Sequence, residues 1–369
     1  MKASLTGSGK KVMIAMSGGV DSSVAAALLL EAGYSVIGVT MQIWPDKSEL
    51  PGSSDQSAGT CCSIEAVQDA KRVADLLCIP HYTLNLKDVF KEKVIDYFIR
   101  EYISGRTPNP CIACNRHIKF GALLEKAISM EMDYVATGHY AAIEQSSAAG
   151  RYILKKSAAF KKDQTYVLYD MTQDQLSKVL FPLAGYNKAQ VREIASRLGL
   201  PTASKQESQE ICFVEDDDYA RYISENYPSA FVPGEFADIN GNHLGRHEGI
   251  AHFTIGQRKG LGKAFGKPMF VVAIDAVRNR VILGDESQLF SDSLTAGDLN
   301  WIAIANLDSE MKVMAKIRYN AQEVPSKLIP APDGKLMVKF DSPQRAVTPG
   351  QSVVFYDGDI VVGGGIIEL

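Results

Sequence analysis

Several things the 369-residue chain lacks narrow its class before any motif is read. No run approaches the roughly 18 apolar residues that cross a bilayer as a helix. The opening MKASLTGSGKK has basic residues but no apolar stretch before a cleavage site. Neither membrane association nor export is expected, and the expected setting is the cytoplasm. Cysteines number only six and are unevenly spaced, which does not describe a disulfide framework. Cytosolic thiols are mostly reduced, so each is weighed as core, metal ligand or reactive group. Positive charge is not in excess: 39 Lys and Arg against 43 Asp and Glu leave a net charge of -4, which excludes a general basic coat. Internal repeats are missing too.

What is present is 46% hydrophobic residues, enough for two or three domains. From Lys11 to about Leu200, short apolar runs alternate with helical patterns, the mark of a parallel sheet covered by helices on both faces. Strands are expected at Val12 to Met16, Ser35 to Met41, His81 to Leu86 and Tyr134 to His139. Helical spacing joins Ile64, Val67, Ala70, Val73, Ala74 and Leu77, then Val89, Val94, Phe98 and Ile99. The segment Trp44 to Thr60 is rich in Pro, Gly, Ser and Asp and reads as a long loop able to cover a site.

Beyond Phe213 the pattern changes. Phe231 to Asp285 reads as a small β-rich domain with a hairpin turn at Asn240-Gly241, and the runs after Ser291 read as a small barrel. The fold class is therefore α/β, with domains expected at 1–214, 215–290 and 291–369. Basic clusters at Lys155, Lys156, Lys161 and Lys162, at Arg258, Lys259, Lys263 and Lys267, and at Lys316 with Arg318 offer local positive charge; ordinary solvated lysines are the plainer reading.

The motif with chemistry is Ser17 to Ser22, SGGVDS, between the strand VMIAM and a helix opening VAAALLLEAG. Two glycines let backbone N–H groups approach an oxyanion, the serines add donors, and the helix start adds partial positive charge. Asp21 fits a Mg²⁺ ion accompanying phosphates, or else a helix cap. The Walker pattern is absent, since Ser4 and Lys11 do not fit around Gly9 and Lys10, and no G-x-G-x-x-G stands here. Strand, SGGVDS and helix together resemble the PP-loop of ATP pyrophosphatases, which leave AMP on a carbonyl oxygen. That resemblance implies adenine contacts at neighbouring strand ends, where Met41 and Gly138 stand; Met41 reads equally as core. A glycine ending a strand allows close backbone approach, and His139 is expected to face the same crevice.

Cys111 and Cys114 lie in RTPNPCIACNRHIKF, where two prolines lead into a helical pattern. A helix start with Arg106, Arg116 and Lys119 nearby would favour thiolate there. A C-x-x-C metal knuckle, joined by Cys61, Cys62 or His117, is the other reading. Cys212, in ESQEICFV, has apolar neighbours and by itself reads as a buried structural cysteine. Cys78 falls on the expected core stripe of its helix.

The segments AMSGGVDSSVAA, GTCCS, GRTPNPCIACNRHIKFG, ATGHYA, KKDQTYVLY, ESQEICFV, HFTIGQRKGLG and IRYNAQ run in order through nearly the whole chain. Together they closely resemble the tRNA-specific 2-thiouridylases. The resemblance implies an ATP site at Ala15, Met16, Ser17, Gly18, Gly19, Val20, Asp21 and Ser22 with Met41 and Gly138, used with Mg²⁺. It implies Cys114 as nucleophile, Cys212 as persulfide carrier, and Asn109, Pro110 and Cys111 around the target base. Lys162, Asp163, Gln164, Arg318 and Tyr319 match tRNA contacts.

The implied activity is ATP-dependent 2-thiolation of the wobble uridine of tRNA, with a sulfur-donor protein as partner and a monomer when free of tRNA. Cys111 departs from the family pattern, which has aspartate there, and a thiol is a weaker, higher-pKa acid. Two other classes stay open on the residues: a PP-loop synthetase with a nitrogen nucleophile, and a metal-dependent RNA-binding module.

Overall fold

A computed structural model describes residues 7, 9–43, 64–146, 150–159, 162–205, 211–214 and 218–368. The expected loop at Trp44 to Thr60, Cys61, Cys62 and Lys161 lie outside these. The chain forms two compact units, one of Met1–Val94, Cys111–Asp217 and Asp359–Val361, the other of Ile95–Pro110, Asp218–Gly358 and Val362–Leu369. No helix among the described residues is long and apolar enough to cross a membrane.

The first unit is built on a five-stranded parallel sheet. In chain order its elements are β1 (Lys11–Ala15), α1 (Val20–Glu31), β2 (Ser35–Gln42), α2 (Ile64–Leu76) and β3 (His81–Asn85). Then come α3 (Lys87–Phe90), followed by a π-turn at Lys91–Ile95 that leads to α4 (Asp96–Ile103) of the second unit, and α5 (Pro110–Cys114) and α6 (Leu123–Ser129), joined through a second π-turn at Asn115–Ala122. β4 (Tyr134–Ala136), a hairpin of β5 (Ala141–Ser146) and β6 (Arg151–Lys156), α7 (Gln173–Ser177), β7 (Val179–Leu180) and α8 (Lys188–Arg197) follow.

The strand order is β3-β2-β1-β4-β7. β1 is apolar on both faces because helices cover both, and Val12, Met13 and Ile14 are fully buried. It pairs in parallel with β2 on one side, Val12 opposite Val36, and with β4 on the other, Val12 opposite Tyr134. The sheet therefore reverses direction of growth at β1, and the crevice of such a sheet opens beyond the carboxyl ends of the strands at that point.

Two expectations are corrected here, and one hairpin was not foreseen. The strand expected over Tyr134 to His139 ends at Ala136, because the following residues leave the ladder to lie against the start of α1. The β5–β6 hairpin, registered from Ala141↔Lys156 to Ser146↔Arg151, carries too short an alternation to stand out in the sequence. Cys78 is exposed rather than on a core stripe: α2 ends at Leu76, and Cys78 sits in the turn beyond it with φ 55°.

The second unit holds α9 (Tyr219–Asn226) and β8 (Gly234–Asp238), β9 (His243–His247), β10 (Phe270–Asp275) and β11 (Arg280–Gly284), in the order β10-β11-β8-β9. The Asn240-Gly241 turn joins β8 to β9 as expected, with Gly241 at φ 84°. Asp238 accepts hydrogen bonds from the backbone N–H groups of Asn240 and Asn242 and from the Asn242 amide, which holds its carboxyl below the usual range, Asn242 contributing most. β12 (Phe290–Trp301), β13 (Met311–Lys316), β14 (Val324–Pro330), β15 (Leu336–Arg345), β16 (Ser352–Asp357) and β17 (Ile360–Glu368) form the barrel. Their order is β12-β15-β14-β13-β16-β17, and β12 pairing with β17 closes it. Alternate residues such as Val313, Ala315, Leu336, Val338, Phe340, Val353 and Phe355 fill its interior, as the period of a barrel strand requires.

Candidate functional site

SGGVDS follows β1 directly, so the reversal point of the sheet carries the phosphate loop. Gly18 takes φ 66°, and a Cβ there would collide with the Ala66 carbonyl of α2, so only glycine fits. Ala15, Met16 and Val20 bury their side chains in the core and face the loop only through backbone. Ser22 organises the turn, its hydroxyl accepting from Ser17 N–H at 3.2 Å and donating to the Gly19 carbonyl at 3.2 Å. Gly19 caps α1 without a side-chain hydrogen bond, which leaves the first N–H groups of a 12-residue helix available to an anion. Met41 stands at the end of β2, half-buried against Met13 and Val39, so its core role is met.

The end of β4 forms the opposing wall. A Cβ on Gly138 would sit 2.7 Å from Ser22 N and 2.8 Å from Asp21 C, so this glycine is what allows the two strand ends to close on each other. Two residues on, buried Tyr140 donates its hydroxyl to Asp21 Oδ1 at 2.7 Å. Lys188, the first residue of α8, places its ammonium 2.8 Å from both Asp21 oxygens. Sequence reasoning missed both. Tyr140 was visible within ATGHYA, and Lys188 is a cation just inside a capped helix start, where it opposes the helix dipole.

A single carboxylate at such a loop is the kind of oxygen ligand that a magnesium ion accompanying a nucleotide takes from a protein, so Asp21 fits that role. Among the described residues no group of three or more His, Cys, Asp or Glu could hold a metal ion, so a C-x-x-C knuckle gains no support from them.

His139 does not face the crevice. It is 8% exposed, packed between Phe120 and Phe181 at 6.0 and 5.9 Å, and its pKa is lowered well below the ordinary value, first by burial and then by Lys119. The ring is neutral. Lys119 Nζ lies 3.4 Å from Nε2, which accepts, so Nδ1 carries the proton and donates to Thr137 Oγ1 at 2.7 Å.

Cys111 and Cys114 occupy the second and fifth positions of α5, whose first residue is Pro110, a favoured opening residue. Cys111 is exposed, Cys114 and Cys212 partly so, and none of the three is in a disulfide. Cys212 is therefore not the buried cysteine its neighbours suggested: Phe213 and Val214 enter the core beside it, Phe213 edge-on to Phe90 at 6.0 Å, and anchor the turn that carries it. The cations expected to favour thiolate at Cys114 have partners of their own. Arg106 pairs with Glu101 at 2.8 Å, Arg116 with Asp170 at 3.3 Å, and Lys119 with His139. Beside Cys114, Asn115 is buried and donates its amide to the Val167 carbonyl at 2.7 Å. Asn109 is half-buried and Pro110 buried.

The residues matched to tRNA contacts divide. Lys162 is half-buried, while Asp163 and Gln164 are built into the turn: Asp163 accepts from Thr165, and Gln164 exchanges two hydrogen bonds with the Tyr140 backbone at 2.9 and 3.0 Å. In the second unit, Arg318 donates to the carbonyls of Ile255 and Ala346 at 3.2 and 2.8 Å and to Thr348, bracing the β-rich domain against the barrel. Tyr319 is exposed, with Lys316 Nζ 5.7 Å from its ring centroid. Arg318 also borders a cleft of about 850 Å³ lined by Arg246, Lys259 and Lys263.

Comparison with known proteins follows the same divisions of the chain. Residues 10–216 match a family described as the tRNA methyl transferase HUP domain, 220–285 the tRNA methyl transferase PRC-barrel domain, and 291–367 the aminomethyltransferase beta-barrel domain. A tRNA-specific 2-thiouridylase MnmA of Acetivibrio thermocellus is 60% identical over 359 residues, 97% of this chain and 99% of its own. That of Clostridioides difficile is 55% identical over 359 residues, 97% and 98% of the two chains. Among solved structures, a 4-thiouridine synthetase–RNA complex with bound ATP aligns at 18% identity and TM-score 0.37, covering 61% of this chain and 52% of that one, a likeness too slight to say more.

Proposed function

This chain belongs to the tRNA-specific 2-thiouridylase family, and on that premise we propose that it is a tRNA-uridine 2-sulfurtransferase that replaces the C2 oxygen of the wobble uridine with sulfur at the expense of ATP. The observation that carries the proposal is the SGGVDS loop at the reversal point of the sheet in the same unit as two partly exposed cysteines that form no disulfide, Cys114 and Cys212. Methyl transfer, the chemistry named in two of the domain descriptions, would give an ATP loop no task.

The uridine C2 oxygen attacks the α-phosphorus of ATP, the bond to the β-phosphate oxygen breaks, and pyrophosphate leaves. The open N–H groups of α1 and the Ser17 hydroxyl stabilise the charge that develops on the phosphates. Asp21 would hold a magnesium ion brought with ATP, which neutralises phosphate charge when bound. The adenylated C2 is now electrophilic. A sulfur-donor protein loads Cys212 as a persulfide. The Cys114 thiolate attacks the inner sulfur of that persulfide, forming the Cys114–Cys212 disulfide and expelling hydrosulfide, which adds to C2 and displaces AMP. A dithiol reductant then returns the pair to thiols, accepting the disulfide's oxidising equivalents.

Asn109, Pro110 and Cys111 line the place of the flipped base, and Lys162 and Tyr319 contact tRNA, the tyrosine as a stacking face. The protein works in the cytoplasm and is a monomer until tRNA binds.

The test is sulfur transfer from a labelled persulfide donor to unmodified tRNA. Cys114→Ser and Cys212→Ser are each expected to abolish 2-thiouridine formation, while AMP release by Cys212→Ser persists in the presence of tRNA. Full activity in both variants would refute the thiol mechanism. AMP formation that depends on an amine acceptor instead of tRNA would favour the synthetase reading.

A further inference from the structure

Lys188 has no assigned role, and its surroundings ask for one. Helix α8 starts well: Asn187 accepts from Gln190 N–H, and the Gln190 side chain accepts from Asn187 N–H, a complete capping box. A lysine as the first helical residue is out of keeping with that end, because the partial positive charge of a helix start repels it. Its ammonium instead crosses 167 residues of sequence to the first turn of α1, where it grips both oxygens of Asp21 at 2.8 Å. The lysine side chain is 17% exposed and that of Asp21 29%.

Asp21 stabilises the start of α1 while the loop is empty. Once a triphosphate binds there, the same carboxylate stands beside several negative charges, and that repulsion is large in a partly dehydrated site. Lys188 reverses the sign of the corner. Its four-methylene stem lets a point charge move a few ångströms between neighbouring anions, which a rigid guanidinium does less readily. Tyr140, hydrogen-bonded to Asp21 Oδ1, keeps the carboxylate in place when the ammonium leaves it.

Resting on the reading of SGGVDS as an ATP loop, we propose that Lys188 is a catalytic cation of the nucleotide site: it exchanges Asp21 for the β- and γ-phosphates of ATP and stabilises pyrophosphate as it departs. No bond to Lys188 forms or breaks; the phosphorus–oxygen bond cleaves between the α- and β-phosphates, and the ammonium compensates the charge left on pyrophosphate. The alternative is that Lys188 only neutralises Asp21 and shapes the loop.

Equilibrium binding of ATP, AMP and adenosine to the full chain, without tRNA or sulfur donor and with and without Mg²⁺, separates the two. Lys188→Met is expected to weaken ATP by about 30-fold while AMP and adenosine stay within about twofold, because only ATP has the phosphates that the ammonium reaches. Lys188→Arg, which keeps the charge, is expected to retain most of the preference for ATP over AMP and to exclude misfolding as the cause. The double variant Asp21→Asn with Lys188→Met decides the matter: recovery of ATP binding would show that Lys188 serves only to neutralise Asp21. Equal weakening of ATP and AMP, or no weakening of either, would also overturn the proposal. Failure of the unaltered protein to bind ATP would instead remove the functional reading on which this one stands.

Discussion

Gly138→Ala is the smallest change expected to separate folding from nucleotide binding. The methyl group would lie 2.7 Å from Ser22 N, 0.7 Å inside the 3.4 Å at which ordinary contact begins, and 2.8 Å from Asp21 C. Both obstacles are backbone, so no rotamer change relieves them, and the strand end and the loop have to part. Overpacking of this kind costs about 1–3 kcal/mol. In a unit of this size each kcal/mol lowers Tm by about 2–4 °C, so a fall of about 2–12 °C is expected by thermal melting.

The larger effect is on function. Moving the loop by a good part of an ångström misplaces the N–H groups that hold the phosphates, and misplacement by about 1 Å costs on the order of 100-fold in rate. ATP binding and tRNA-dependent AMP release measured on the same preparation should therefore fall much further than stability does. A Gly138→Ala protein with unchanged Tm, ATP affinity and thiolation rate would refute the claim that the two strand ends form one closed nucleotide wall.

Arg318 and Tyr319 are adjacent yet expected to fail differently. Arg318→Ala removes three hydrogen bonds within the second unit and should lower stability by about 2–4 kcal/mol, seen as a lower urea midpoint. Tyr319→Ala should leave that midpoint alone and weaken tRNA binding by about 1–3 kcal/mol, read by filter binding at fixed salt. The reverse pattern would overturn both assignments. His139 makes stability depend on pH with a definite sign. Its folded pKa is depressed, by burial first and Lys119 second, so the unfolded chain binds the proton more readily. Its contribution is complete above the ordinary pKa of 6.5 and is lost as pH falls below it, by about 1.4 kcal/mol per pH unit. His81, His247 and His252, also lowered by burial, add to the slope. Urea midpoints from pH 7 to pH 5 should be less steep for His139→Asn than for the unaltered protein; equal slopes would mean the ring is already solvated.

The parallel sheet was legible because buried parallel strands such as β1 are continuous apolar runs; β1, β2 and the edge strand β3, which has no buried residue, all fall within a residue of their expected bounds. The barrel was legible for the same kind of reason, an alternation that repeats over many strands. The end of β4 was harder to place. Thr137 and Tyr140 are as strand-like as the residues before them, Gly138 alone hints at a break, and the close approach to α1, a contact across more than 100 residues of sequence, explains why the segment leaves the ladder. Periodicity carries no information about such a contact. The β5–β6 hairpin was lost between the segments around it for a related reason, because its six-residue strands alternate too briefly to stand out.

The site shows the same limit in chemical form. Residue types drew attention to SGGVDS and the cysteines, since glycine, serine and cysteine have few substitutes in the tasks proposed for them. Charges were another matter. Arg106, Arg116 and Lys119 stand close to Cys114 in sequence, and proximity suggested that they serve it; each also has a partner of its own, local for Arg106 with Glu101 and farther along the chain for Arg116 with Asp170 and Lys119 with His139. Lys188 is the converse, a cation remote from Asp21 in sequence and in contact with it in space. A helical lysine or arginine reaches over about two turns of chain surface, so its partner is set by packing, and the sequence pattern fixes only that it has one. The reactivity proposed for Cys114 is thus a property of the tertiary arrangement, and a charge close to it in sequence does not by itself assign a partner.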